Sequence, residues 1–266
     1  RAASFASVIL LLVLGAAIFA DGLAPYSYTQ INRSELLKAP SLDHYFGTDE
    51  LGRDIFSRVM HGSRASLQVM VISISLSLVF GVPIGLLAGY FGGRLEDLIM
   101  RIMDAWMAFP PLILALVMVA ALGPSLTNTM IAIAIINVPA FVRLVRAETL
   151  RIREMDYIMV AHSLGCSHLR IIAYHIAPGT VGTITVHASI RAASAIITES
   201  SLSFLGLGVQ PPQPSWGSMI SVGVTYWQHA WWMSFCPGLA IFVTVLALNF
   251  LGDALRDTFD TRLSKD

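Results

Sequence analysis

The chain has 266 residues, of which 55% are hydrophobic and 13% charged, with 17 basic and 17 acidic side chains. Soluble domains carry about 25% charged residues, so this composition excludes an ordinary soluble enzyme and indicates an integral membrane protein. The balanced charge gives no support to a nucleic-acid binder, and Cys166 and Cys236 match no metal or disulfide spacing.

A bilayer core of about 30 Å takes about 20 helical residues. Residues 2–20 carry no charge and form the first expected span. Ile18-Phe19-Ala20 is a poor small-x-small cleavage site, so residues 1–24 read as a retained anchor rather than a signal peptide. A charged loop over 25–64 follows. The uncharged run 65–93 is the second span. The run 105–142 is long enough for two more, with Gly123-Pro124-Ser125 supplying the turn. Residues 171–198 hold one charge, Arg191, and form span five. The uncharged stretch 200–252 is too long for one helix, and Pro211, Pro212 and Pro214 forbid a continuous one. Span six is then 234–252, after a loop over 200–233. The expected class is an all-α membrane protein with six transmembrane helices, a core over 65–253 and a tail over 254–266.

Loop cations set the orientation. The loop over 143–178 holds Arg143, Arg146, Arg151, Arg153 and Arg170, and the tail holds Arg256, Arg262 and Lys265. The turn at 123–125 and the loop 200–233 hold none. Both termini and the 143–178 loop are therefore expected in the cytoplasm. The 25–64 loop breaks the rule, with Arg33, Lys38, Arg53, Arg58 and Arg64 on the outer side.

Within the cationic loop, Met155–Leu164 has Ile158, Ala161 and Leu164 at helical spacing. Gly165 can take the left-handed conformation that ends a helix. Ser167 can cap a second one, in which Leu169, Ile172 and Ile176 form a stripe. Pro178 precedes span five. Two readings fit this compact unit: a knob docking into a groove on a soluble partner, or an interfacial helix pair lying on lipid.

This stretch resembles the cytoplasmic coupling loop of ABC-importer permeases, whose pattern is Glu-Ala-Ala, three residues, Gly, nine residues, then Ile-x-Leu-Pro. Ala161, Gly165 and Pro178 match it. Met159 and Val160 replace the Glu and the first Ala, His175 the Ile, and Ala177 the Leu. Four further stretches extend the resemblance over nearly the whole chain: FGTDELGRDIFSRVMHGSRASL (46–67), MRIMDAWMAFP (100–110), SLSFLGLGVQPPQPSWGSM (201–219) and LNFLGDALRDTFD (248–260). They resemble the second permease subunit of dipeptide, oligopeptide and nickel importers.

The resemblance implies the type I ABC-importer permease fold in a bacterial inner membrane. It implies a homologous second permease, two ATPase subunits below and an extracytoplasmic binding protein above. It gives the chain no catalytic, cofactor or metal site, since ATP and Mg would be bound by the ATPases. No G-x-x-x-x-G-K-[ST] or H-E-x-x-H motif occurs. The implied ATPase-coupling residues are Ile158, Ala161, His162, Leu164, Gly165, Leu169, His175 and Pro178. Peptides are the expected substrate, with nickel chelates, glutathione and opines as alternatives within the family. A self-contained channel or secondary transporter would need paired half-repeats or several intramembrane charges.

Other features bear on a pathway. Arg191 lies near mid-membrane, where a charge faces protein or water, with Glu199 two turns further on. These two, with Asp104 and Phe204, are the candidate pathway residues. Arg191 reads either as a contact for a peptide carboxylate or as half of a structural ion pair. Asp49, Arg53, Asp54, Pro211, Pro212 and Trp216 are candidates for an outer gate or binding-protein contact. Gly81, Gly85, Gly89 and Gly93 recur every fourth residue and form a ridge for close helix packing, either within the chain or against a partner.

Overall fold

A computed structural model describes residues 2–263, and the described residues are mostly helical, with one isolated bridge between Thr48 and Asp54. The helices are α1 (Ala2–Ile18), α2 (Ala20–Leu23), α3 (Ile55–Phe91), α4 (Gly93–Met107), α5 (Pro111–Leu122), α6 (Leu126–Arg153), α7 (Asp156–Ser163), α8 (His168–Arg170), α9 (Ala177–Phe204), α10 (Trp216–Thr225) and α11 (Trp232–Leu263). A π-helical segment, Ile171–Ile176, joins α8 to α9 without interruption. Four helical stretches are long and apolar enough to cross a bilayer: α3, α6, the continuous run His168–Phe204, and α11. The pair α4–α5 makes a fifth crossing if its 84° bend is counted as one broken span. The apolar helix α1 is shorter.

Besides α11 running on to Leu263 through most of the expected tail, and α10 forming inside the expected 200–233 loop, two boundaries differ from the sequence expectation. The helix expected over 65–93 starts ten residues earlier, at Ile55. Asp54 caps it, its carboxylate accepting from Ser57 N at 2.7 Å. At 37 residues it runs about 55 Å, so it extends well past one bilayer core. The charges in its first turns are each satisfied. Arg58 donates to Tyr28 O. His61 bonds Asp21. Arg64 donates to Asp21 and to the carbonyls of Ala17 and Ile18, closing the C-terminal end of α1. The second difference lies in the run 105–142, which breaks at Pro110-Pro111 as well as at Gly123-Pro124. The residues before the first break belong to an amphipathic helix, α4, that turns sharply into α5. Asp104 therefore sits on α4, at the bend, and not inside a straight span.

The core is built on α3 against α6. Gly81, Gly85 and Gly89 let the two backbones touch. A Cβ at Gly85 would stand 2.8 Å from both Val142 O and Val145 Cβ, and one at Gly89 would stand 2.7 Å from Thr149 Cβ. The glycine ridge thus packs within this chain. Gly93 is not part of it, because α3 ends at Phe91 and Gly93 opens α4 with nothing nearby. Val69, Ile133, Phe141, Ile196, Leu202 and Trp216 form the main apolar cluster. A second cluster, at the end of the bundle that carries α7, joins Leu86, Tyr90 and Val145 to Ile158, Ala161, Ile171 and Ile176.

At the opposite end, residues 35–58 fold into a polar knot. His44 bonds Asp54 through Nδ1 at 2.8 Å and Glu35 through Nε2 at 3.1 Å. Asp49 accepts from Leu51 N, Arg53 N and Arg53 Nε. Trp232 ties the knot to α11 by donating to Thr48 O at 3.2 Å. Burial disfavours charge on His44, but its two carboxylate partners outweigh burial and hold its pKa above the ordinary histidine value of about 6.5. A raised folded pKa gives stabilisation that is complete below the unfolded value and is lost as pH rises through the folded one. Limited proteolysis of the 35–54 segment is therefore expected to accelerate as pH climbs above about 6.5, and His44→Gln should abolish that dependence. An unchanged pH profile in the variant would contradict this role for His44.

Candidate functional site

Residues 154–178 form the compact unit that the sequence suggested. Met155 precedes α7, and Leu164 follows it. Gly165 takes φ +77°, reversing the chain into α8, where Ser167 precedes the first helical residue without a side-chain cap. The unit has two faces. Ile158, Ala161, Ile171, Ile172 and Ile176 turn inward onto the ends of α3 and α6. Met159, Val160, Leu164 and Leu169 turn outward, the last two each 78% exposed. Ile158, to which the resemblance gave an outward contact, is instead part of the internal core at 1% exposure. Ala161 is buried beside it. His162 lies on the outer side of α7, and His175 is half-buried at the end of the π segment, its carbonyl accepting from Tyr157 Oη at 3.4 Å. Pro178 is exposed in the first turn of α9.

Three features of this end were not apparent in the sequence. Tyr90 Oη bonds both His162 Nε2, at 3.2 Å, and His168 Nδ1, at 2.8 Å. Arg153 donates to the carbonyls of Gly89 and Tyr90, closing the end of α3 from α6. Arg143 pairs with Asp104 and Arg146 with Glu96, pinning α4 to α6. Asp104 is thus exposed and already paired.

Beside the knob, the ends of α6, α9 and α11 line an open cleft of about 780 Å³, whose polar lining includes Glu148, Arg151, His187 and Arg256. Arg191 follows His187 by one turn on α9, half-buried, with no hydrogen-bond acceptor or acidic partner among the described residues. Glu199 does not meet it. Glu199 is fully buried and accepts from Ser66 Oγ at 3.1 Å and Ser203 Oγ at 2.7 Å, joining α9 to α3. The structure therefore separates these two candidates: Arg191 has an open side, while Glu199 belongs to the core. Phe204 is exposed at the far end of α9.

The candidates for an outer contact also divide. Asp49 and Asp54 are 4% and 2% exposed and satisfied inside the knot. Arg53 is spent on Asp49 and Glu50. Trp216 is 1% exposed and donates to Val59 O at 2.9 Å, so it anchors α10 to α3 instead of offering a surface. Trp216→Ala should cost about 3–5 kcal/mol of stability, read as a lowered melting temperature in detergent; a loss under about 1 kcal/mol would contradict the anchor. Pro211 and Pro212 are exposed and line a cavity of about 270 Å³ shared with Glu50, Arg58, Met219 and Met233. The Asp-x-x-Ser pattern at 54–57 was a readable cap signal that would have moved Asp54 inward.

Residues 81–265 match the family described as binding-protein-dependent transport system inner membrane component. Residues 1–40 match the N-terminal TM domain of oligopeptide transport permease C. The chain is 46% identical, over 93% of its length and 81% of the relative's, to a dipeptide transport system permease protein of Alkalihalophilus pseudofirmus. It is 44% identical to a di/tripeptide transport system permease protein of Pseudomonas aeruginosa, over 96% of this chain and 86% of that one. It is 45% identical to a glutathione transport system permease protein of Escherichia coli, over 97% of this chain and 86% of that one. Among solved structures, the MetNI methionine ABC transporter superposes with a TM-score of 0.64, covering 76% of this chain and 97% of that one at 17% identity, a likeness of fold alone.

Proposed function

Because the chain belongs to the binding-protein-dependent transport system inner membrane components, we propose that it is a permease subunit of an ATP-driven importer of short peptides. The observation that carries the mechanism is the two-faced knob. Its inner face is cemented to α3 and α6, while Leu164 and Leu169 project from its outer face. Exposed leucines on a rigid helical unit suit a groove on a soluble partner. That partner is a pair of ATPase subunits, which bind ATP and Mg; this chain contributes no catalytic residue. The 143–178 loop and both termini face the cytoplasm, and α1 adds a sixth crossing. When the ATPases close, the knob moves with them and carries α3 and α6, so the helices switch between two arrangements biased from below.

A homologous permease covers the open side of α9. The pathway runs along α9, where Arg191 needs water or an anion and His187 lines the adjoining cleft. The carboxylate that every peptide carries is the anion it meets. At the other end, the exposed Pro211-Pro212 segment and Leu51 are offered to an extracytoplasmic binding protein. Relatives named for dipeptides, di/tripeptides and glutathione support short peptides as the class. Purification from native membranes tests the assembly. The chain is expected to coelute with a second permease and two ATPases; elution alone, with uptake independent of ATP, would favour a channel.

A further inference from the structure

We propose that Tyr90, His162 and His168 form a clasp that fixes the docking knob to the end of α3, and that these three are positioning residues for energy transmission. The inference rests on the reading that residues 154–178 dock on the ATPases. The phenol of Tyr90 lies at the last turn of α3, 6% exposed. Its oxygen bonds two imidazoles from two different elements, His162 on α7 and His168 on α8. A phenol has one proton, so it donates to one ring nitrogen and accepts from the N–H of the other. The rings pack together as well: His162 stacks on Tyr90 at 6.1 Å between centroids, and His168 meets Tyr90 edge-on at 5.6 Å. The clasp spans the chain reversal at Gly165, so it closes the knob on itself and on α3 at once.

Apart from its helical continuity with α9, the rest of the knob's attachment is apolar. Ile158, Ile171 and Ile176 pack against Leu86 and Val145, and such contacts hold two surfaces together without fixing their register. Hydrogen bonds are directional, so the clasp supplies the register. Its attachment point matters because α3 is one uninterrupted helix from Ile55 to Phe91. The glycine ridge joins it to α6, and the far end is the Asp54 cap within the polar knot. A displacement of the knob that is gripped at Tyr90 therefore reaches the opposite end of the bundle along a single element.

The test uses the whole complex with its ATPases and binding protein in lipid vesicles, measuring peptide transported per ATP hydrolysed, with basal hydrolysis as the control. Tyr90→Phe and His168→Phe keep the ring and remove hydrogen bonds. Both are expected to assemble with normal basal hydrolysis while the transport ratio falls about threefold to tenfold. His168→Asn places an amide near the Nδ1 position and should restore most of the ratio, a rescue that a packing role would not give. A normal ratio in Tyr90→Phe, or equal defects in His168→Asn and His168→Phe, overturns the clasp. If Tyr90→Phe fails to assemble, the exposed His162 decides instead, with His162→Gln expected to work and His162→Phe to uncouple. Gly165→Glu separates the two claims. If it uncouples while Tyr90→Phe does not, docking stands and the clasp falls; if neither uncouples, both fall.

Discussion

Gly165→Glu is expected to leave an assembled permease complex whose ATP hydrolysis no longer responds to peptide-loaded binding protein. A Cβ at Gly165 would meet nothing within 4 Å, so the isolated subunit has room for the new side chain. The backbone is less tolerant, since φ is +77° and a non-glycine residue there costs about 1–2 kcal/mol. That is enough to shift the knob locally but not to unfold a bundle of this size. A charged side chain beside Leu164, in a surface that is to be desolvated against an ATPase, costs more again. Stimulation should fall at least tenfold with basal hydrolysis retained. Gly165→Asn serves as the control, because Asn accepts the left-handed conformation and is small; it should retain most of the stimulation. Equal loss of stimulation in the two variants would contradict the docking account, since Asn brings neither the charge nor most of the strain.

Gly85→Leu is expected to remove folded protein altogether. Even the single methyl of Gly85→Ala would be placed 2.8 Å from Val142 O and Val145 Cβ. The neighbours are backbone and a β-branched core residue, neither of which can swing aside. Overpacking of this kind costs about 1–3 kcal/mol for one methyl, and a leucine adds three more carbons at the same point. Thermal unfolding in detergent should show Gly85→Ala melting well below the parent, with Gly85→Leu recovered only as aggregate. Gly15→Ala is the matching control, since nothing lies within 4 Å of its Cβ; its melting temperature should not fall. Tolerance of leucine at 85 would mean that the close α3–α6 contact is wrong.

What could be read from sequence was set by interactions that are local in the chain. Uncharged runs marked α3, α6, α9 and α11 because span length is a property of consecutive residues. The knob was legible for the same reason, in the spacing of Ile158 and Ala161 and in the Gly165 reversal, although Leu164, at the same spacing, turns outward. The start of α3 was missed because Arg58, His61 and Arg64 look like loop charges until their partners are known, and those partners are Asp49, Asp21, Tyr28 O and the end of α1. Of the five cations in 25–64, Lys38, Arg53, Arg58 and Arg64 each face an acid. Pro110-Pro111 was a visible break, but the longer uncharged run around it masked the signal. Residue roles were the least legible. Glu199, Asp54 and Trp216 carry the right chemistry for a pathway or a docking surface, and only the packing shows that each is spent internally.

The most direct measurement of the central claim is ATP hydrolysis by the reconstituted complex with empty binding protein, with binding protein loaded from a panel of short peptides, and with non-peptide ligands. Hydrolysis that rises several-fold with peptide-loaded binding protein, together with uptake of the same peptide into the vesicles, is the result expected here. Hydrolysis indifferent to peptides, or peptide uptake that continues without ATP, would contradict it.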